Sequence, residues 1–262
     1  PVKINDTTKN GQLIAEPVVG KDGKLYVSWQ DIAFGGTVQV DVSTDAGATW
    51  GTDNTVTGWN PAFNDAFSEL IPAQAQRGIG AGPTIEADQS TGRIYEAYVD
   101  VTGTLPNTDI FVRYSDDDGT TWSAPIKIND DIGTNSQFLP WMDFDPIKGI
   151  LGLAWYDARN DPNNIDVDVY AAFSFDSGLT FEPNIKLTDG LIPPSLYGGD
   201  FLEYLGLAGY DHTFHAVWAE SIPNSRALDI VTTSLRVPEP SSVLLLSLGL
   251  AGLGFGRRCR LA

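Results

Sequence analysis

The sequence predicts an all-β fold, a β-propeller of four-stranded antiparallel blades with about four blades present, followed by a C-terminal apolar helix. Three observations predict it. The 262 residues include 27 glycines, 16 prolines and 11% aromatic residues, a composition suited to many short strands joined by tight turns. One serine- and aspartate-containing turn pattern recurs three times in the chain. A strand that ends in an aromatic residue, a spacer and an acid recurs four times, in step with the turns. Repeats of this length built from short strands indicate a propeller before a sandwich.

The turn pattern is Ser43, Asp45, Gly47, Thr49 and Trp50; then Ser115, Asp117, Gly119, Thr121 and Trp122; then Ser174, Asp176, Gly178, Thr180 and Phe181. Its aspartate suits the amides of a tight turn, its glycine a positive φ, and its aromatic residue an apolar anchor. None of these roles needs a ligand. Upstream stand the pairs Trp29 and Asp31, Tyr98 and Asp100, Trp155 and Asp157, Trp218 and Glu220. Their fourfold recurrence points to blade geometry, with the tryptophans as core. Segments 1–6, 125–130 and 184–189 share a third pattern and read as outer strands. The chain then divides into blades at 16–56, 82–130, 139–189 and 199–236, with strand 1–6 from a neighbouring or closing blade, and a tail at 238–262.

Over roughly residues 16–235 the three boxes resemble those of the sialidase-like Asp-box (BNR repeat) β-propellers. The resemblance implies six blades, so the four here are expected to be a fragment of a larger ring. For a sialidase it also implies an arginine triad, a tyrosine nucleophile assisted by a glutamate, and an aspartate acid/base. Three guanidiniums suit a carboxylate because each makes two charge-assisted hydrogen bonds. No Arg-Ile-Pro string occurs, and the string beginning at Arg77 departs from it.

In an antiparallel meander successive turns lie on opposite faces. The boxes therefore face one way, and the loops that could carry function face the other. On that second face Asp157 and Arg159 are the catalytic candidates, with an inter-blade ion pair as the competing reading. Trp59, Arg77, Tyr197 and Arg226 are the candidate ligand-binding residues. His212 and His215 have no third ligand nearby in sequence, so zinc is not expected. Segment 161–168 offers oxygen ligands that could take a structural calcium ion, without an EF-hand's spacing. No cofactor is expected.

The tail departs from the body. Pro238, Glu239 and Pro240 precede an apolar run at 243–255, which Arg257, Arg258 and Arg260 close. As a helix this run spans roughly 20 Å against a hydrocarbon core of ~30 Å, and its basic end should stay cytoplasmic. The order resembles the PEP-CTERM sorting signal. That resemblance implies export, cleavage by an exosortase-type protease, an inner-membrane anchor before processing, and then the cell surface or extracellular matrix. Residues 1–30 contain no export signal, so N-terminal sequence is expected to be missing.

With 16 basic and 34 acidic residues the net charge is −18, and three of the arginines lie in the tail. Such a body repels a phosphate backbone, so nucleic acid is not an expected partner. Two functions stay open. One is a non-catalytic exported propeller that binds glycan or protein ligands. The other is an exo-α-sialidase, which would need a local arginine cluster to overcome the acidic field.

Overall fold

β-Branched and aromatic residues at alternate positions, broken by Gly, Asp and Pro turns, produce a run of antiparallel meanders. The computed structural model describes residues 1–6, 11–32, 36–63, 69–194, 201, 205–221 and 228–238. The first sheet is β1 (Gln12–Val19), β2 (Leu25–Asp31), β3 (Thr37–Ser43) and β4 (Asn54–Gly58), hydrogen-bonded in that order. A separate hairpin follows, β5 (Glu69–Ile71) with β6 (Gln74–Ile79). The second sheet is β7 (Thr84–Ala87), β8 (Ile94–Val101), β9 (Thr108–Ser115) and β10 (Ile126–Lys127). The third is β11 (Gln137–Asp145), β12 (Ile150–Asp157), β13 (Asp168–Ser174) and β14 (Ile185–Lys186). The fourth has three strands among the described residues, β15 (Leu205–Tyr210), β16 (Thr213–Ser221) and β17 (Leu228–Arg236). The described residues contain no α-helix; the apolar helix expected at 243–255 lies outside them.

The leading strands β1, β7, β11 and β15 pack against one another in sequence, so the sheets stand side by side. Burial follows from this. In the third sheet, covered on both faces, β12 and β13 are buried at every residue. In the fourth, β16 alternates buried and exposed positions over much of its length. Interdigitation between sheets is close. Gly152 leaves room for the Phe214 ring, which a Cβ there would approach to 2.5 Å.

Two leading strands carry a bulge, and three have a positive-φ residue at the same end. Register slips between Leu13 and Glu16 in β1 and between Phe138 and Trp141 in β11. Ile14 and Leu139, inside these bulges, have φ of 51° and 50°, and Gly82, just ahead of β7, has 53°. The left-handed region is costly for a β-branched residue, so this backbone is held by its surroundings.

Each box is closed by short bonds of its own. Asp117 accepts from the Thr121 amide (2.8 Å) and hydroxyl (2.7 Å), and Ser115 Oγ accepts from the Gly119 amide (2.9 Å). Asp45 with Thr49 and Asp176 with Thr180 repeat the pattern. These bonds hold the Asp45 carboxyl down at about 2. Boxes also join sheets: Asp118 accepts from Lys24 Nζ (2.7 Å) and the Tyr26 hydroxyl (2.6 Å), and the Ser177 carbonyl accepts from Arg93 (2.8 Å).

Segment 1–6, expected as an outer strand, forms none, because no described strand supplies it a ladder partner. Its last residue is nevertheless fixed. The Asp6 amide donates to Asp53 (2.9 Å) and the Asp53 amide to Asp6 (3.2 Å). Asp130 and Asn184 make the same reciprocal pair between the second and third sheets.

Candidate functional site

Ile14 of β1, Thr84 of β7, Leu139 and Trp141 of β11 and Leu205 of β15 line one cavity of about 320 Å³. All four leading strands thus converge on it, and it lies at the sheets' common axis. The β5–β6 hairpin supplies Gln74 and Arg77 to the same lining. The positive-φ residues at this end of three of the strands, Ile14, Gly82 and Leu139, all border the space. A volume of this size matches a small-ligand site.

Two side chains give the cavity chemical character. Trp141 is 39% exposed although it belongs to a leading strand. Gln74 is the converse: it is 2% exposed, and its Oε1 has no hydrogen-bond partner among the described residues. Buried polar atoms are nearly always paired, and this acceptor, on a residue of the cavity wall, is left without a donor among the described residues.

Register fixes what lies beneath. Glu16, Thr84 and Trp141 stand level, opposite Ser28, Ala97 and Ala154 of the second strands. One step down the same faces come Glu86 and Asp143, opposite Tyr95 and Gly152. Glu16 accepts from the Ile85 amide (3.1 Å) and Asp143 from the Gly209 amide, each across a sheet boundary. Burial raises both carboxyls. Burial, aided by Asp143 and Glu16, pushes Glu86 up to about 8.

The residues singled out in the sequence fall in different places. Arg77 lines the axial cavity. Trp59 is buried in the core, its ring against Phe63 and over Gly36. Asp157 is wholly buried, accepting from Trp155 Nε1 (2.8 Å). Arg159 donates to Asp157 (2.7 Å), to Asp130 of the second sheet (2.6 Å) and to Asn184 (2.9 Å), and lies over the Tyr170 ring at 4.2 Å. It is a bridge between two sheets, away from the axial lining. Tyr197, Arg226, Glu239, Pro240, Arg257 and Arg258 lie outside the described residues. Asp161 spends its carboxylate on the amides of Asn163, Ile165 and Asp166. Among the described residues no three His, Cys, Asp or Glu side chains are grouped to hold a metal ion.

Sequence reasoning missed Gln74, Trp141, Glu86 and Asp143. A signal existed in β11 and β7, where Trp141, Asp143, Thr84 and Glu86 put polar or oversized residues at alternate positions of strands that should be small and apolar.

Residues 236–260 match the model of the PEP-CTERM protein-sorting motif. The motif marks the chain as an exosortase substrate exported to the cell surface or extracellular matrix. No curated protein matches the sequence. Among solved structures, a Hadza microbial sialidase is similar with a TM-score of 0.54 and 19% identity, over 85% of this chain and 44% of that one. The Penicillium chrysogenum α-L-arabinanase complexed with arabinobiose gives 0.55 and 17%, over 87% and 64%. The α-L-arabinofuranosidase of Fusarium graminearum, also with arabinobiose, gives 0.54 and 16%, over 91% and 67%. These likenesses show the fold: the four sheets are blades of a sialidase- and arabinanase-type β-propeller. The chain spans less than two thirds of the length of the first two.

Proposed function

We propose that the chain is an exported surface or matrix propeller that binds a glycan in its axial cavity. The observation that carries this reading is the buried, partnerless Gln74 Oε1 in a cavity that also exposes Trp141. A sugar offers a hydroxyl donor for the first and an apolar ring face for the second. The sorting motif and the glycan-processing propellers of like fold support the setting.

A binding role is favoured over the sialidase alternative because Arg77 is the one arginine in the lining among the described residues, while Arg159 is held by Asp157, Asp130 and Asn184. A hydrolytic role of another kind has one observation in its favour. Glu86, pushed up to about 8, would keep a proton at neutral pH beside Asp143, as a general acid must. Titration of the whole chain with an oligosaccharide panel tests the binding reading. Wild type should bind at least one member, and Trp141→Ala should weaken that binding by on the order of tenfold or more, from the lost stacking area. Unchanged binding in a folded Trp141→Ala protein would place the site elsewhere.

A further inference from the structure

We infer that the axial cavity selects uncharged, hydroxyl-bearing sugars against carboxylated ones, with Gln74, Glu86 and Asp143 as the residues that set this preference. The inference rests on reading the cavity as a glycan site.

The unpaired group on a residue of the wall is an acceptor. Gln74 Oε1 is buried without a partner among the described residues, and only a donor can satisfy it. A sugar hydroxyl donates; an ionised carboxylate presents acceptors alone. Carboxylate recognition also needs convergent cations, best as paired guanidinium forks. Among the described residues Arg77 is the single basic residue in the lining, and it is exposed.

Beneath the lining the potential is negative. Glu86 and Asp143 follow Thr84 and Trp141 by two residues on the same strand faces, which sets them roughly 7 Å deeper. Glu16 stands level with Thr84 and Trp141 on the neighbouring leading strand. Glu16 and Asp143 are held by amides across blade boundaries. Among the described residues no lysine or arginine forms an ion pair with any of the three. A narrow cleft walled by protein focuses such a field. Burial is the main cause of the raised Glu86 carboxyl, and the crowding by Asp143 and Glu16 that adds to it is the repulsion an incoming carboxylate would join.

The test is isothermal titration of the whole chain with gluco-, manno- and galacto-oligosaccharides and their C6-oxidised counterparts, which differ only in a carboxylate for a hydroxymethyl group. Neutral members should bind tighter by on the order of tenfold. The ratio should widen from pH 6 to pH 9 as Glu86 ionises. Glu86→Gln with Asp143→Asn should shrink the ratio at pH 9, and Gln74→Leu should weaken the neutral sugars more than the oxidised ones. Oxidised sugars binding as tightly as neutral ones in wild type would overturn the inference while leaving the glycan site standing, and that comparison needs no variant to fold. A ratio unmoved by both pH and the double substitution would likewise remove Glu86 and Asp143 from it. Binding of neither series would overturn the glycan reading and the inference together.

Discussion

Arg159 shows how a single residue can look catalytic in sequence and be committed elsewhere in space. Its acidic neighbour Asp157 and its loop position suggested chemistry, but the guanidinium also grips Asp130, which follows the second sheet, and Asn184, beside the outer strand of its own sheet, 29 and 25 positions away. Arg159→Lys keeps the charge and loses the fork. It should lower stability by about 1–3 kcal/mol and leave oligosaccharide affinity at its wild-type value, as melting and titration of one sample will show. Glu86 carries a different prediction. Its carboxyl is raised from 4.5 to about 8, so the folded chain binds a proton there that the unfolded chain has already released. The stabilising contribution is complete below about pH 4.5 and falls as pH rises toward about 8. Thermal melts across this window should show Glu86→Gln gaining on wild type as pH increases. A gap that stays constant from pH 5 to pH 8 would contradict it.

At the scale of the element, what the sequence displays is whatever closes within a few residues. The box is legible because Ser115, Asp117, Gly119 and Thr121 act on one another inside a single turn. The leading-strand bulge was not legible, because it is a matter of pairing with the next strand, where Gln12 and Gln137 donate to Asp31 and Asp157. β1 begins at Gln12, four residues before the blade boundary expected at 16. Between the blades expected at 16–56 and 82–130, the β5–β6 hairpin is too short and too mixed in pattern to announce itself. The second use of the box, as the seat for Lys24 and Tyr26, was also hidden, since Asp118 is 92 positions from Tyr26. Asp117→Ala removes an acceptor of three bonds on the turn. It should cost about 1–3 kcal/mol in thermal or denaturant unfolding without altering sugar affinity, because the box lies outside the axial lining. Altered affinity at unchanged stability would refute that separation.

For the whole molecule, fold class was readable from repetition alone, since a blade motif used three or four times signals far above any one strand's propensity. The site was not, because it is assembled at the axis by one or two residues from each of several blades and no local pattern encodes their meeting. The tail is the opposite case, a contiguous signal read directly from Pro238, Glu239 and Pro240, the apolar run and the arginines. Exchanging 243–255 for a polar linker should leave the body folded and release it into the medium, and retention at the membrane would deny the tail its sorting role. On the proposed reading, four blades and one hairpin build a sugar site at the propeller axis. A crystal structure of the chain with its tightest oligosaccharide tests it most directly: a sugar ring should lie against Trp141 with a hydroxyl on Gln74 Oε1. A sugar bound instead in the roughly 450 Å³ pocket bordered by Asp189, Trp218 and Glu220, or on the face that carries the boxes, would contradict it.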